Sequence, residues 1–508
     1  MTLDRRRFLG LTAGLSAAAL TGCSTAATTP SSAPRTGGRL RAAFAGGGAK
    51  EVLDPHLANL FVEAARAKAM FDKLADLGDD VAPRPRLAEA WEPGADLTRW
   101  RITLRQAAFH DGRPVRAQDV LASYARVLDP KRAFRARSSL ALVDLPNSRA
   151  VDDRTVEFAL TRPFVEFPNA MAAFGAYIVP EGAEDFTTPI GSGPFAFSSF
   201  EPGRSTLLKR NPDYWEGAPL LDELEFVIAN EESARTNALL GGQVEYAHDL
   251  TPTTARGHAD GGRMAIHRSP GSAVQAFAMK LDRPPFDDRD LREAMFLLAD
   301  RPQLVEAVLA GNGQVGNDLF GKGYRHYADL PQRERDLDKA KYLIRKAGAE
   351  GLTVALDTST AAAGMVEAAT VFADQVRGSG LTIEVTMGNK DSYWSDVLKN
   401  GSLSSFRSGA MPIETHIAQR LLTGSGTNVT KWARPEFDAL YEKAVSTSDE
   451  AVRAGAYREM QAALHAEGGY LMWGFADWIV GTAPGVGGIS TAPANTLDWA
   501  RFDKVWLG

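Results

Sequence analysis

The chain has 508 residues, 44% hydrophobic and 24% charged. That balance excludes a disordered or fibrous protein, and at about 150 residues per domain it suggests roughly three domain-sized units. Lys and Arg number 57 against 63 Asp and Glu, a net charge of −6, so no global basic field draws the protein to nucleic acid. A single cysteine leaves no intrachain disulfide and no Cys-based zinc site.

The chain opens on Arg5-Arg6-Arg7-Phe8-Leu9 and then runs small and apolar over 11–20. A basic stretch before an apolar run of about 12 residues is the pattern of an export signal, too short to span a bilayer. The Arg-Arg-x-Phe-Leu pattern resembles a twin-arginine signal. Leu20-Thr21-Gly22-Cys23 resembles a bacterial lipobox, in which Cys23 is acylated and becomes the first mature residue; the alternative for Cys23 is a buried core thiol. The expectation is a signal peptide over 1–22 and a flexible tether over 23–36. The Ser, Thr, Ala, Pro and Gly that fill it bury too little surface to order the chain. The expected location is the outer face of the cytoplasmic membrane, with the lipid as anchor. Beyond residue 22 no apolar run reaches the roughly 18 residues of a membrane span.

In chain order, alternation predicts strands over 39–44, 100–105, 155–160, 220–228 and 277–281. Period-3.6 patterns predict helices over 63–75, 117–128 (Asp119 in the first turn), 233–240, 290–299, 303–309 and 338–347, the last stopped by Gly348. Strands over 352–356 and 381–385 flank a helix over 362–378, a βαβ pattern. Strands over 403–407 and 470–475 and helices over 437–445 and 450–467 complete an α/β chain. No internal repeat is evident. HExxH, GxSxG and P-loop motifs are absent, His110-Asp111 face apart on a strand end, and the eight histidines are scattered. No catalytic constellation, cofactor or metal is expected.

Several motifs then point together. Trp100-Arg101-Ile102-Thr103-Leu104-Arg105 runs through Phe109-His110-Asp111-Gly112 into Pro114-Val115-Arg116-Ala117-Gln118-Asp119-Val120. With it stand Leu53-Asp54-Pro55-His56, Gly191-Ser192-Gly193-Pro194-Phe195, Arg210-Asn211-Pro212-Asp213-Tyr214-Trp215 and Pro284-Pro285-Phe286-Asp287-Asp288. Asp338, Lys341 and Ala347-Gly348 close the series. In type and order these resemble the blocks of the peptide and nickel class of extracellular solute-binding proteins, family 5. As residues they read mostly as scaffold: strand ends, turns and packing aromatics.

The resemblance implies an α/β, periplasmic-binding-protein-like two-lobe fold (type II, cluster C) with an extra inserted domain. Lobe I would comprise 37–80, 187–270 and 485–508, the insert 81–186, and lobe II 271–484. It implies a non-enzymatic, monomeric protein that closes on a solute and docks on the permease subunits of an ABC importer.

It also implies ligand contacts. Asn59 and Phe61 follow the Leu-Asp-Pro motif; the alternative is the cap and first turn of a helix. Asp249 is a contact or a helix-start cap. Trp394 is a cleft tryptophan or core packing. Arg407 suits a ligand carboxylate through its planar fork, and Gly409, Ala410 and Met411 would supply backbone groups and small walls. Trp473 and Phe475 would form the far wall. Peptide binders usually follow that glycine with a tryptophan and then an aspartate for the ligand's ammonium. Here the run is Gly409-Ala410-Met411-Pro412-Ile413-Glu414, and neither is present. The ligands left open are peptides, blocked or modified peptides, sugars, other polar metabolites and metal chelates. A sensor or chaperone role and a secreted hydrolase are the alternatives of other kinds.

Overall fold

The structure is a computed structural model that describes residues 33–258, 262–390 and 392–508. The expectations for the export signal, Cys23 and most of the tether lie outside the described residues. The α/β, two-lobed expectation holds, and one sheet of eleven strands runs through both lobes.

In the first lobe, Arg39–Phe44 pairs in parallel with Glu223–Ile228 and with Tyr246–Ala247. The hairpin of Phe195–Glu201 and Ser205–Arg210 extends one edge. In the second lobe, Leu403–Gly409 runs parallel to Thr353–Thr358, which pairs in parallel with Thr382–Met387; the helix Met365–Val376 makes the expected βαβ crossover.

Two long strands join the halves. Ala265–Met279 and Tyr470–Thr482 are antiparallel partners whose register breaks between Ser269 and Ala273. Before the break, 265–269 pair with 478–482, beside Tyr246–Ala247. After it, 273–278 pair with 470–476, beside Leu403–Gly409. The sequence reading found only the second-lobe half of each strand. Pro270-Gly271 stands at that irregularity, where a bulge bends the strand.

The inserted unit is an antiparallel sheet of Ala88–Pro93, Arg99–Leu104, Thr155–Leu160 and Val143–Asp152. The helix Ala117–Leu128 covers it, burying Val120, Tyr124 and Val127 at helical spacing. As expected, Asp119 sits in the first turn, where its carboxylate accepts from the Arg116 N–H at 2.8 Å.

The helix predicted over 63–75 is Phe61–Met70. It stops because the next residues are drawn into extended pairing. The Lys73 and Leu74 carbonyls accept from the Leu87 and Arg86 N–H groups at 3.0 Å, and Ala75–Leu77 pairs with Pro83–Pro85.

The motifs prove to be joints. Asp54 takes both guanidinium nitrogens of Arg126, at 3.1 and 2.6 Å. Arg126 also donates to Nδ1 of His56 at 2.7 Å, and His56 Nε2–H donates to the Tyr177 carbonyl at 2.9 Å. Leu-Asp-Pro-His therefore docks the first lobe on the insert's helix. Trp215 Nε1–H donates to Asp72 at 3.0 Å, and Arg86 donates to the Tyr214 hydroxyl at 2.6 Å. A Cβ at Gly191 would lie 1.9 Å from the Met70 carbonyl oxygen, so only glycine allows that turn to close on the helix end.

Candidate functional site

The first lobe presents two loops. The helix Phe61–Met70 is capped from within: the Glu63 carboxylate accepts from the Asn59 and Leu60 N–H groups at 2.8 and 3.0 Å. That fixes Asn59 at the helix mouth and Phe61 on its first turn, against the Trp478 ring at 4.6 Å. The second loop is His248-Asp249. Arg235 donates to both carbonyls, at 2.8 and 3.1 Å, and holds Asp249 at φ +53°. The next helix, Pro252–Gly257, is capped by Thr251, so Asp249 is not its cap. His248 stacks on Phe44 at 4.2 Å. Burial, with the charges of Arg235 and Arg407, drives its pKa well below the usual imidazole value and keeps it neutral.

In the second lobe, Tyr393 is buried and donates its hydroxyl to the Ser405 carbonyl at 2.7 Å. That pins the helix Tyr393–Lys399 on the strand Leu403–Gly409 and leaves its neighbour Trp394 39% exposed. Arg407 lies on that strand with a side chain 12% exposed. Its guanidinium sits 5.0 Å above the Trp478 ring, a cation–π contact. Arg407 Nη2 lies 3.8 Å from Asp249 Oδ1, too far for a hydrogen bond, and its buried Nε has no partner. A Cβ at Gly409 would lie 2.6 Å from Asn495 Nδ2, so this glycine lets the Asn495 loop reach the strand.

These elements enclose a cavity of about 390 Å³ bordered by Asn59, Phe61, Trp394, Arg407, Gly409 and Met411. Six of the ten positions expected from sequence thus meet around one space, with Asp249 just behind Arg407. Ala410 borders an adjoining cavity of about 480 Å³, which shares Arg135, Phe174, Met411, Thr427 and Asn495 with the first.

Trp473 and Phe475 border neither cavity. A common wall needs both side chains on one face of the strand, but the register shifts between Gln275 and Ala276, opposite Gly474 and Met472. The extra residue sends Trp473 into the core under the second-lobe helices and Phe475 into the core on the other face, 1% and 3% exposed.

Sequence reasoning missed Arg135, Phe174, Arg420 and Asn495. Arg135 stands in Lys131-Arg132-Ala133-Phe134-Arg135-Ala136-Arg137, a basic run that could have flagged it. The others carry no local signal.

The adjoining cavity reaches Glu166, Asn169 and Glu414. Glu414 belongs to the helix Ile413–Arg420, in line with its expected place in the next segment. Asn169 Nδ2 donates to Glu414 and also to Glu166 at 2.9 Å, and Glu166 is ion-paired with Arg453. These bonds tie the insert to the second lobe. Among the described residues no group of His, Cys, Asp and Glu is placed to hold a metal ion. The arrangement can enclose, orient and neutralise a solute.

Residues 82–427 match the bacterial extracellular solute-binding proteins, family 5. The chain is 25% identical over 441 residues to the peptide transport periplasmic protein SapA of Salmonella typhimurium, covering 79% of this chain and 80% of that one. It is 24% identical over 456 residues to the probable di/tripeptide-binding protein 5 of Pseudomonas aeruginosa, covering 82% and 86%. The fold superposes on DppA of Helicobacter pylori in complex with the peptide STSA with a TM-score of 0.81, at 20% identity, over 93% of this chain and 98% of that one.

Proposed function

The chain belongs to the bacterial extracellular solute-binding proteins of family 5, a class of substrate-binding transport proteins, and from that premise we propose that it captures a peptide or peptide-like solute between its lobes and delivers it to the permease subunits of an ABC importer, without chemical turnover. The observation that carries this reading is the single cavity bordered by Asn59 and Phe61 of one lobe and by Trp394, Arg407 and Gly409 of the other. A solute held from both sides stabilises the closed state, because only that state offers both sets of contacts. The names of SapA and of di/tripeptide-binding protein 5 favour a peptide. The missing tryptophan and aspartate after Gly409 keep a modified peptide or other polar metabolite as the second reading.

We divide the chain into lobe I (37–80, 187–270 and 485–508), the insert (81–186) and lobe II (271–484). The hinge is the strand pair whose register breaks between Ser269 and Ala273. The protein acts as a monomer. Small-angle scattering of the protein with the small molecules of its own cells is expected to show a smaller radius of gyration, and the melting temperature to rise with their concentration by mass action. Release of a product different from the bound molecule would return the protein to the enzymes.

The reading includes an anchor at Cys23. A Cys23→Ser protein is expected to leave the membrane pellet for the soluble fraction. Equal membrane retention of the two proteins would remove the anchor and leave solute capture untouched.

A further inference from the structure

The walls of the cavity between Asn59 and Arg407 carry charge of one sign. Arg135, Arg407 and Arg420 all border it, and among the described residues no Asp or Glu does. The three come from separate places: a loop of the insert, the strand Leu403–Gly409 and the last turn of the helix Ile413–Arg420. Like charges gathered in a space of about 390 Å³ repel one another, so this arrangement raises the energy of the empty site unless an anion enters.

The neighbours offer little compensation. Arg135 is exposed to the cavity, rests over the Phe174 ring at 4.5 Å, and makes no ion pair among the described residues. Crowding by protein, and then the charge of Arg420, lowers its pKa. Arg420 donates to Ser408 Oγ at 2.9 Å and lies over the Phe406 ring at 5.0 Å, but its Nε has no partner. Its place at a helix C-terminus gives it only the partial negative charge of that end. Arg407 alone has an acid near it, Asp249 at 3.8 Å. With one of the three charges shared in that way, two remain uncompensated.

The adjoining cavity does not reverse the sign. Its lysine and second arginine are occupied, Lys73 by Asp76 and Arg162 by Glu442. Of its acids, Glu166 is held by Arg453, and the buried Glu414 carboxyl, bonded by the Asn169 amide, is pushed up to about 7. Among the described residues that border the two cavities, Glu414 is the one carboxyl without a cation, and burial disfavours its charged form.

Resting on the reading of solute capture, we infer that the solute carries at least two negative charges and no free amino group that must be paired: a multiply anionic carboxylate or phosphate conjugate, an amine-blocked acidic peptide included. Planar guanidinia suit both oxyanions, and Trp394 and Phe61 supply an apolar surface for the uncharged part.

The test passes a small-molecule extract of the organism's own cells over an anion-exchange column and adds each fraction to the whole protein in a thermal-unfolding assay. Stabilising activity is expected only in fractions that the column retains and releases after monocarboxylates. The Arg135→Gln and Arg420→Gln proteins are each expected to need at least about tenfold more of that fraction for the same shift. Stabilisation by the unretained fraction would overturn the anionic assignment and keep solute capture. Equal response of the two variants to a retained fraction would also overturn it. No stabilisation by any fraction would bring down solute capture as well.

Discussion

An Asp318→Ala protein is expected to lose about 3–5 kcal/mol of stability in urea unfolding, the range for leaving a buried charge unpaired. Asp318 and Arg301 are 0% and 1% exposed. The guanidinium grips the carboxylate through two bonds, of 2.9 and 2.8 Å, and Arg333 adds a third at 2.9 Å. Arg301 is the first residue of the helix Arg301–Leu309, and it also donates to the Phe296 carbonyl at 3.2 Å. Removing the carboxylate would strand Arg301 where water cannot replace it. The double variant Arg301→Met with Asp318→Ala is expected to lose less than Asp318→Ala alone, because the fully buried charge is gone and only the partly exposed Arg333 is left without its carboxylate. A loss below about 1 kcal/mol for Asp318→Ala, the value of an exposed pair, would mean that water reaches the site.

What the sequence revealed follows from how local each signal is. The helices Ala117–Leu128 and Glu450–Glu467 lie where periodicity put them, since one apolar face and a capping acid are written in consecutive residues. The long strands Ala265–Met279 and Tyr470–Thr482 were half visible, because Pro270-Gly271 has the chemistry of a turn and only the pairing partner makes it a bulge. Asn59, Phe61, Trp394 and Arg407 were found through motif order, and the cavity gathers them. Arg420 and Asn495 lie far along the chain from the first-lobe loops, and nothing near them announces that folding will bring them to the same space. Trp473 and Phe475 misled because alternation is a rule for regular strands, and a single extra residue inverts it.

The bridge between the insert and the second lobe carries a pH dependence. Glu414 is buried, and burial pushes its carboxyl up to about 7 from an ordinary 4.5. Arg325 acts on it from a distance without pairing, and its direct partner is the Asn169 amide. Asn169 Oδ1 is itself buried without a donor. The sign follows from proton counts. Below about pH 4.5 both folded and unfolded chains hold this proton, so the group adds no pH dependence there. As pH rises from there toward 7, the unfolded chain has lost the proton and the folded one still keeps it. Stability therefore falls by about 1.4 kcal/mol per pH unit, to a total of roughly 3 kcal/mol, and levels off above 7. Glutamine keeps the shape, accepts from Asn169 and has no proton to lose. The difference in unfolding free energy between Glu414→Gln and the parent protein is accordingly expected to be small at pH 4.5 and to grow steadily to pH 7. A difference that stays constant over that interval would show that Glu414 is already ionised in the folded protein. A growing one would mean that the contact between insert and second lobe, which borders the adjoining cavity, is weakened at neutral pH by the loss of a single proton.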